Sequence, residues 1–137
     1  MKYRLGIDAP DTMIAAVTVR HGGPDATEIR ADWPVPVIGS DQVLVRVAAA
    51  ALNNTDIWSR QGAYGTAEDP DAVAGWLGVP LQFPRIQGID VCGVVHAVGD
   101  GVDLAWAGRR VLVDPTVSYD NDFPTALIGS EVDGGFA

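Results

Sequence analysis

The sequence predicts a mainly β fold, a small barrel or sandwich carrying one or two short helices. Two observations lead there. The 16 glycines and 9 prolines are scattered rather than clustered, and they punctuate apolar runs at intervals of about 8 to 15 residues, the rhythm of short strands joined by turns. Within one such run Val43, Val45 and Val47 share a strand face while Leu44 and Arg46 take the other, which predicts one side toward a core and one partly toward solvent.

In chain order, the expected strands are Ile14 to Arg20, Glu28 to Trp33, Val43 to Ala50, Asp90 to Val98 and Arg109 to Val113, with a short final one at Gly135 to Ala137. Asn53 to Gly62 breaks the rhythm and predicts a short helix, with Asn54 or Thr55 able to cap it and Gly62 able to end it. From Ala63 to Pro84 the composition turns to Gly, Asp and Pro, which predicts a long loop with a helical turn at Asp71 to Trp76. Gly88, Gly93 and Gly99 flank or interrupt a β-branched strand, where a missing Cβ permits a bulge, a bend or a close backbone approach.

Length and charge exclude several classes of function. At 137 residues with 47% hydrophobic content, one globular domain is expected. Arg46, Arg60, Asp90, His96 and Asp103 interrupt every long apolar stretch, so no membrane span is expected. Met1 to Thr12 hold too few apolar residues for a secretory leader, so a cytoplasmic address is expected. The net charge of −9 and the dispersed basic residues argue against nucleic-acid binding. Cys92 is the single cysteine, and no C-x-x-C or H-x-x-H spacing occurs, which leaves no zinc site of the usual kind.

Five stretches in register resemble the GroES-like domain of the medium-chain dehydrogenase/reductase superfamily, over about Met13 to Ala137. They are Met13 to Pro24; Pro36 to Ala51, including Asp41-Gln-Val-Leu-Val-Arg-Val47; Gly88 to Gly99, which follows G-x-D/E-x-x-G-x-V-x-x-x-G; Ala107 to Val113; and Asp133 to Ala137. The resemblance implies a partly open GroES-like β-barrel over residues 13–137, preceded by a 1–12 extension. It also implies a second, Rossmann-type cofactor domain whose G-x-G-x-x-G loop is absent from this chain.

In the zinc-dependent alcohol dehydrogenases of that superfamily, a Cys and a His hold the metal at two places that here carry Asn53 and Ile89. Ile offers no lone pair and a neutral amide is a poor ligand, while the cysteine-rich lobe expected after Val113 is replaced by Asp114 to Pro124. The resemblance therefore points to the quinone-oxidoreductase-like branch without zinc. It implies hydride transfer from NADP(H) or NAD(H) to a small carbonyl, quinone or activated alkene, and it is compatible with a homodimer of the full-length enzyme. The chain alone is then expected to be inactive. A stand-alone GroES-like binding or oligomerisation module is the competing reading.

The candidate site residues are Asn53, Thr55, Asp56 and Tyr64, with Asn53 also a cofactor contact. Each has a structural alternative: Asn53 and Thr55 as helix caps, Asp56 as a first-turn carboxylate stabilised by the helix dipole, Tyr64 as a loop residue half-buried against the barrel. Trp58 is expected in the core or the cleft wall, and His21 and His96 as satisfied or solvated histidines. Cys92 is expected as a small buried hydrophobe. Asp90, if it faces inward, needs a donor, for which Arg85 or Arg109 is expected.

Overall fold

The computed structural model describes residues 9–69, 80–118 and 125–137. β1 (Thr12–Thr18) runs through a 3-10 turn at Pro24–Ala26 into β2 (Thr27–Pro34), and β3 (Val43–Ala51) leads into helix α1 (Asn54–Gln61). The chain continues through β4 (Arg85–Ile86), β5 (Asp90–Val98), a 3-10 turn at Leu104–Trp106, β6 (Arg110–Leu112), β7 (Thr116–Val117) and β8 (Ala126–Leu127). The strands form three antiparallel sheets in the orders β2-β1-β4, β3-β5-β6 and β7-β8. This is the mainly β, partly open barrel that the sequence predicts.

The core follows the two-residue period of strands. Ala15 and Val17 of β1 point inward beside Ile86 of β4, and Met13, Val19, Trp33 and Phe136 pack around them. On β5 the inward set is Val91, Gly93, Val95 and Ala97, while Cys92, Val94 and His96 are only partly buried. Cys92 is thus half-buried rather than the buried hydrophobe expected, because it lies on the outer phase of a strand whose inner phase is set by its neighbours. Gly93 has a steric reason. A Cβ there would overlap the Arg46 carbonyl oxygen and come within 2.7 Å of Val45 Cγ1 on the paired strand.

On β3 the expected alternation fails. Register shifts at Leu44/Val45 and at Val47/Ala49 insert bulges into its pairing with β5, so Val43 is exposed and Leu44 is as buried as Val45. The expected final strand at Gly135 to Ala137 is also absent. That segment is instead tied by single backbone bonds, Gly135 to the Gly88 carbonyl at 2.9 Å, Phe136 to that of Gln87 at 3.0 Å and Ala16 to that of Phe136 at 2.8 Å. Gly88, at φ +102°, turns the facing backbone out of the extended path a ladder needs. The helical turn expected at Asp71 to Trp76 lies outside the described residues.

Candidate functional site

Helix α1 organises the site, and its first turn explains how. Asn53, in extended conformation, is the N-cap: its Oδ1 accepts from the Thr55 amide at 2.9 Å, and its own backbone N–H donates to Asp56 Oδ2 at 2.9 Å. This reciprocal pair is a capping box. The cap is therefore Asn53, as its structural alternative predicts, and not Asn54 or Thr55, because Asn53 leaves the helical path at the end of β3. Gly62 ends the helix in the left-handed conformation at φ 77°, as its sequence position predicts.

Asp56 does more than close that box. Only 4% exposed, it accepts from the Gly88 amide through Oδ1 at 3.1 Å, and its carbonyl oxygen accepts from Gln87 Nε2 at 2.9 Å. Gln87 Oε1 in turn accepts from the Thr18 hydroxyl at 2.9 Å. One buried polar chain thus ties α1 to the β4–β5 junction and to β1. Burial pushes the Asp56 carboxyl above the usual carboxylate range; the amides of Asn53 and Gly88 oppose this, and the nearby charge of Asp90 adds to it.

Thr55, Asp56, Ser59 and Tyr64 line one side of a cavity of about 190 Å³, and Ile89, Leu127, Gly129 and Ser130 close the other. The structure so gathers three of the four expected site residues, and it brings Ile89 to the same wall. Asn53 stands just outside, its Nδ2 donating to Asp90 Oδ2 at 3.1 Å. Asp90 is exposed and takes its donor from Asn53. The arginines expected there are engaged elsewhere: Arg85 with Asp133 at 3.1 Å, Arg109 over the Trp106 ring at 5.3 Å. Tyr64 is half-buried and meets Trp58 edge-on, with centroids 6.2 Å apart. Trp58 itself is 47% exposed, on the rim rather than in the core.

The histidines differ from each other. His21 Nδ1 lies 3.2 Å from the Arg60 carbonyl oxygen, and its ring meets Phe83 edge-on. His96 is partly buried, and its Nε2 is buried with no hydrogen-bond partner among the described residues. Sequence reasoning missed Ser59, Leu127, Gly129 and Ser130. Ser59 was within reach, since it lies four residues after Thr55 on the same helix face. Ser130 was not, because only the folded return of the β8 turn brings it to α1. No helix of the described residues is long and apolar enough to cross a membrane, and those residues contain no cluster of three or more His, Cys, Asp or Glu able to hold a metal ion.

Comparison with known proteins agrees with this architecture. Residues 39–137 match the family described as the alcohol dehydrogenase GroES-like domain. Over 93% of its length the chain is 38% identical to a chloroplastic NADPH-dependent alkenal/one oxidoreductase of Arabidopsis thaliana, and over 77% it is 33% identical to a human quinone oxidoreductase. It spans 28% of the length of each. A solved structure assigned as an alcohol dehydrogenase of Sinorhizobium meliloti 1021 superposes with a TM-score of 0.79 at 44% identity, covering 93% of this chain and 37% of that one.

Proposed function

We propose a function from one premise: this chain belongs to the family of the alcohol dehydrogenase GroES-like domain, within the medium-chain dehydrogenase/reductase superfamily. The reading is that it forms the catalytic barrel of a zinc-independent NADPH- or NADH-dependent oxidoreductase that delivers hydride to a carbonyl, quinone or activated alkene. A partner domain would supply the phosphate cradle, and residues 13–137 would form the barrel with 1–12 as an extension. The alkenal and quinone oxidoreductases among its relatives support the substrate class. The same reading places the enzyme in the cytoplasm, with no nucleic acid among its partners.

The observation that carries it is the wall of the α1 cavity. Ile89, at the place of the superfamily's zinc-binding His, lines the cavity and has no lone pair to offer. Asn53, at the place of the zinc-binding Cys, has its amide oxygen committed to the helix cap and its nitrogen to Asp90. This donor set does not fit zinc. The cavity offers the hydroxyls of Thr55, Ser59, Tyr64 and Ser130 instead. A reduced nicotinamide supplies the hydride when bound. The chain's own part is to hold the substrate oxygen by O–H donors and to keep the backbone beneath it rigid through Asp56.

The test is NADPH consumption by the complete enzyme containing this chain. Oxidation that depends on an added 2-alkenal or quinone is expected. Cofactor turnover with neither acceptor at any concentration would contradict the reading.

A further inference from the structure

We propose that the cavity over α1 selects small uncharged acceptors of hydrogen bonds against carboxylates of the same shape, and that Ser59 and Ser130 set this selectivity. The inference rests on reading that cavity as the substrate site. Its volume of about 190 Å³ suits a small ligand. Four hydroxyl-bearing residues line it, Thr55, Ser59, Tyr64 and Ser130, and none of their hydroxyls has a hydrogen-bond partner among the described residues. Each remains free to donate to a ligand oxygen.

The one charged residue that lines the cavity among the described residues is acidic. Asp56 lines it, Asp90 is held beside its cap by Asn53, and Glu131 follows Ser130, with Oε2 accepting from the Leu127 amide at 2.9 Å. No Lys, Arg or His stands among the described residues that line it. Arg85 is paired with Asp133, and Arg60 Nε is directed to the Gly22 carbonyl at 3.4 Å. A carboxylate entering the cavity meets like charge and no counter-ion. A carbonyl oxygen needs only the O–H donors already there. Ser59 comes from α1 and Ser130 from the turn after β8. That turn is pinned at Gly129, where an added Cβ would stand 2.9 Å from the Gly88 nitrogen.

The experiment follows backbone amide NMR shifts of the 137-residue chain during titration with cyclopentanone, cyclopentanecarboxylate and cyclopentylammonium. Saturable shifts centred on Ser59, Ile89 and Ser130 are expected with the ketone, at least about tenfold tighter than with the carboxylate, a difference of about 1.4 kcal/mol. Ser59→Ala and Ser130→Ala should each weaken the ketone by about threefold or more, with the remaining spectrum unchanged as proof of folding. No ketone binding, equal or tighter carboxylate binding, tighter ammonium binding, or folded serine variants with undiminished affinity would each overturn the proposal. Ketone selectivity in a protein whose complete enzyme reduces neither alkenal nor quinone would uphold this inference while removing the hydride-transfer reading.

Discussion

Burying the Asp56 carboxyl against the start of α1 removes water from its charged form, and Asp90 adds a like charge, so its proton is held more tightly than in an unfolded chain. A raised folded-state value means that protonation stabilises the fold below the ordinary Asp range and that this contribution is lost as pH rises through the folded value. The stability of the wild type relative to Asp56→Asn, which cannot titrate, is therefore expected to rise on acidification from neutral pH through the carboxylate range. Urea unfolding of both proteins across that range measures it, and a gap that stays constant or shrinks would contradict the assignment. Asn53 carries the companion prediction. Asn53→Ala removes the acceptor for the Thr55 amide and should cost about 1 kcal/mol of stability; a fall in kcat/KM of about tenfold or more in the complete enzyme would instead mark a contact with nicotinamide or substrate. A less stable but fully active variant would take Asn53 out of the site. Both residues were legible in the sequence, because a polar residue and a carboxylate three positions apart before a short helix are a local signature. Asp90 was not, since its donor lies 37 residues away and arginines close in sequence were the natural guess.

Among the secondary-structure elements, the long strands were readable and the short ones were not. β5 runs from Asp90 to Val98 as its β-branched composition predicts, and α1 ends at its glycine. β4, β7 and β8 have two residues each, too few to show any period. The two bulges on β3 escaped notice for a different reason: they depend on the partner strand, where Gly93 lets the backbones approach. Gly93→Ala is expected to destabilise the domain by about 1 to 3 kcal/mol, as overpacking does when the obstructing atom is backbone. Urea unfolding of the variant measures this. A change within about 0.5 kcal/mol, the usual range for a surface substitution, would show that β3 can move away without cost.

At the scale of the molecule, the site is built from segments far apart in the chain: α1, Ile89 beside β5, and the turn after β8. The polar chain from Thr18 through Gln87 to Asp56 ties α1 and the β4–β5 junction to the core, so that side of the cavity belongs to the barrel. Local sequence pattern named Thr55, Asp56, Tyr64 and Ile89 and could have reached Ser59, whereas Leu127, Gly129 and Ser130 required tertiary closure. The spacing of glycines and the Asn53 and Ile89 positions were nonetheless enough to point at a zinc-free branch of one superfamily. On the function proposed above, side-chain hydroxyls and a nicotinamide would act with no catalytic metal at Asn53 and Ile89. The decisive measurement is the rate of NADPH-dependent alkenal or quinone reduction by the complete enzyme before and after exhaustive chelation, with zinc content determined on the same samples. An unchanged rate and far less than one zinc per chain are expected. A rate that collapses on chelation and returns with added zinc would contradict it.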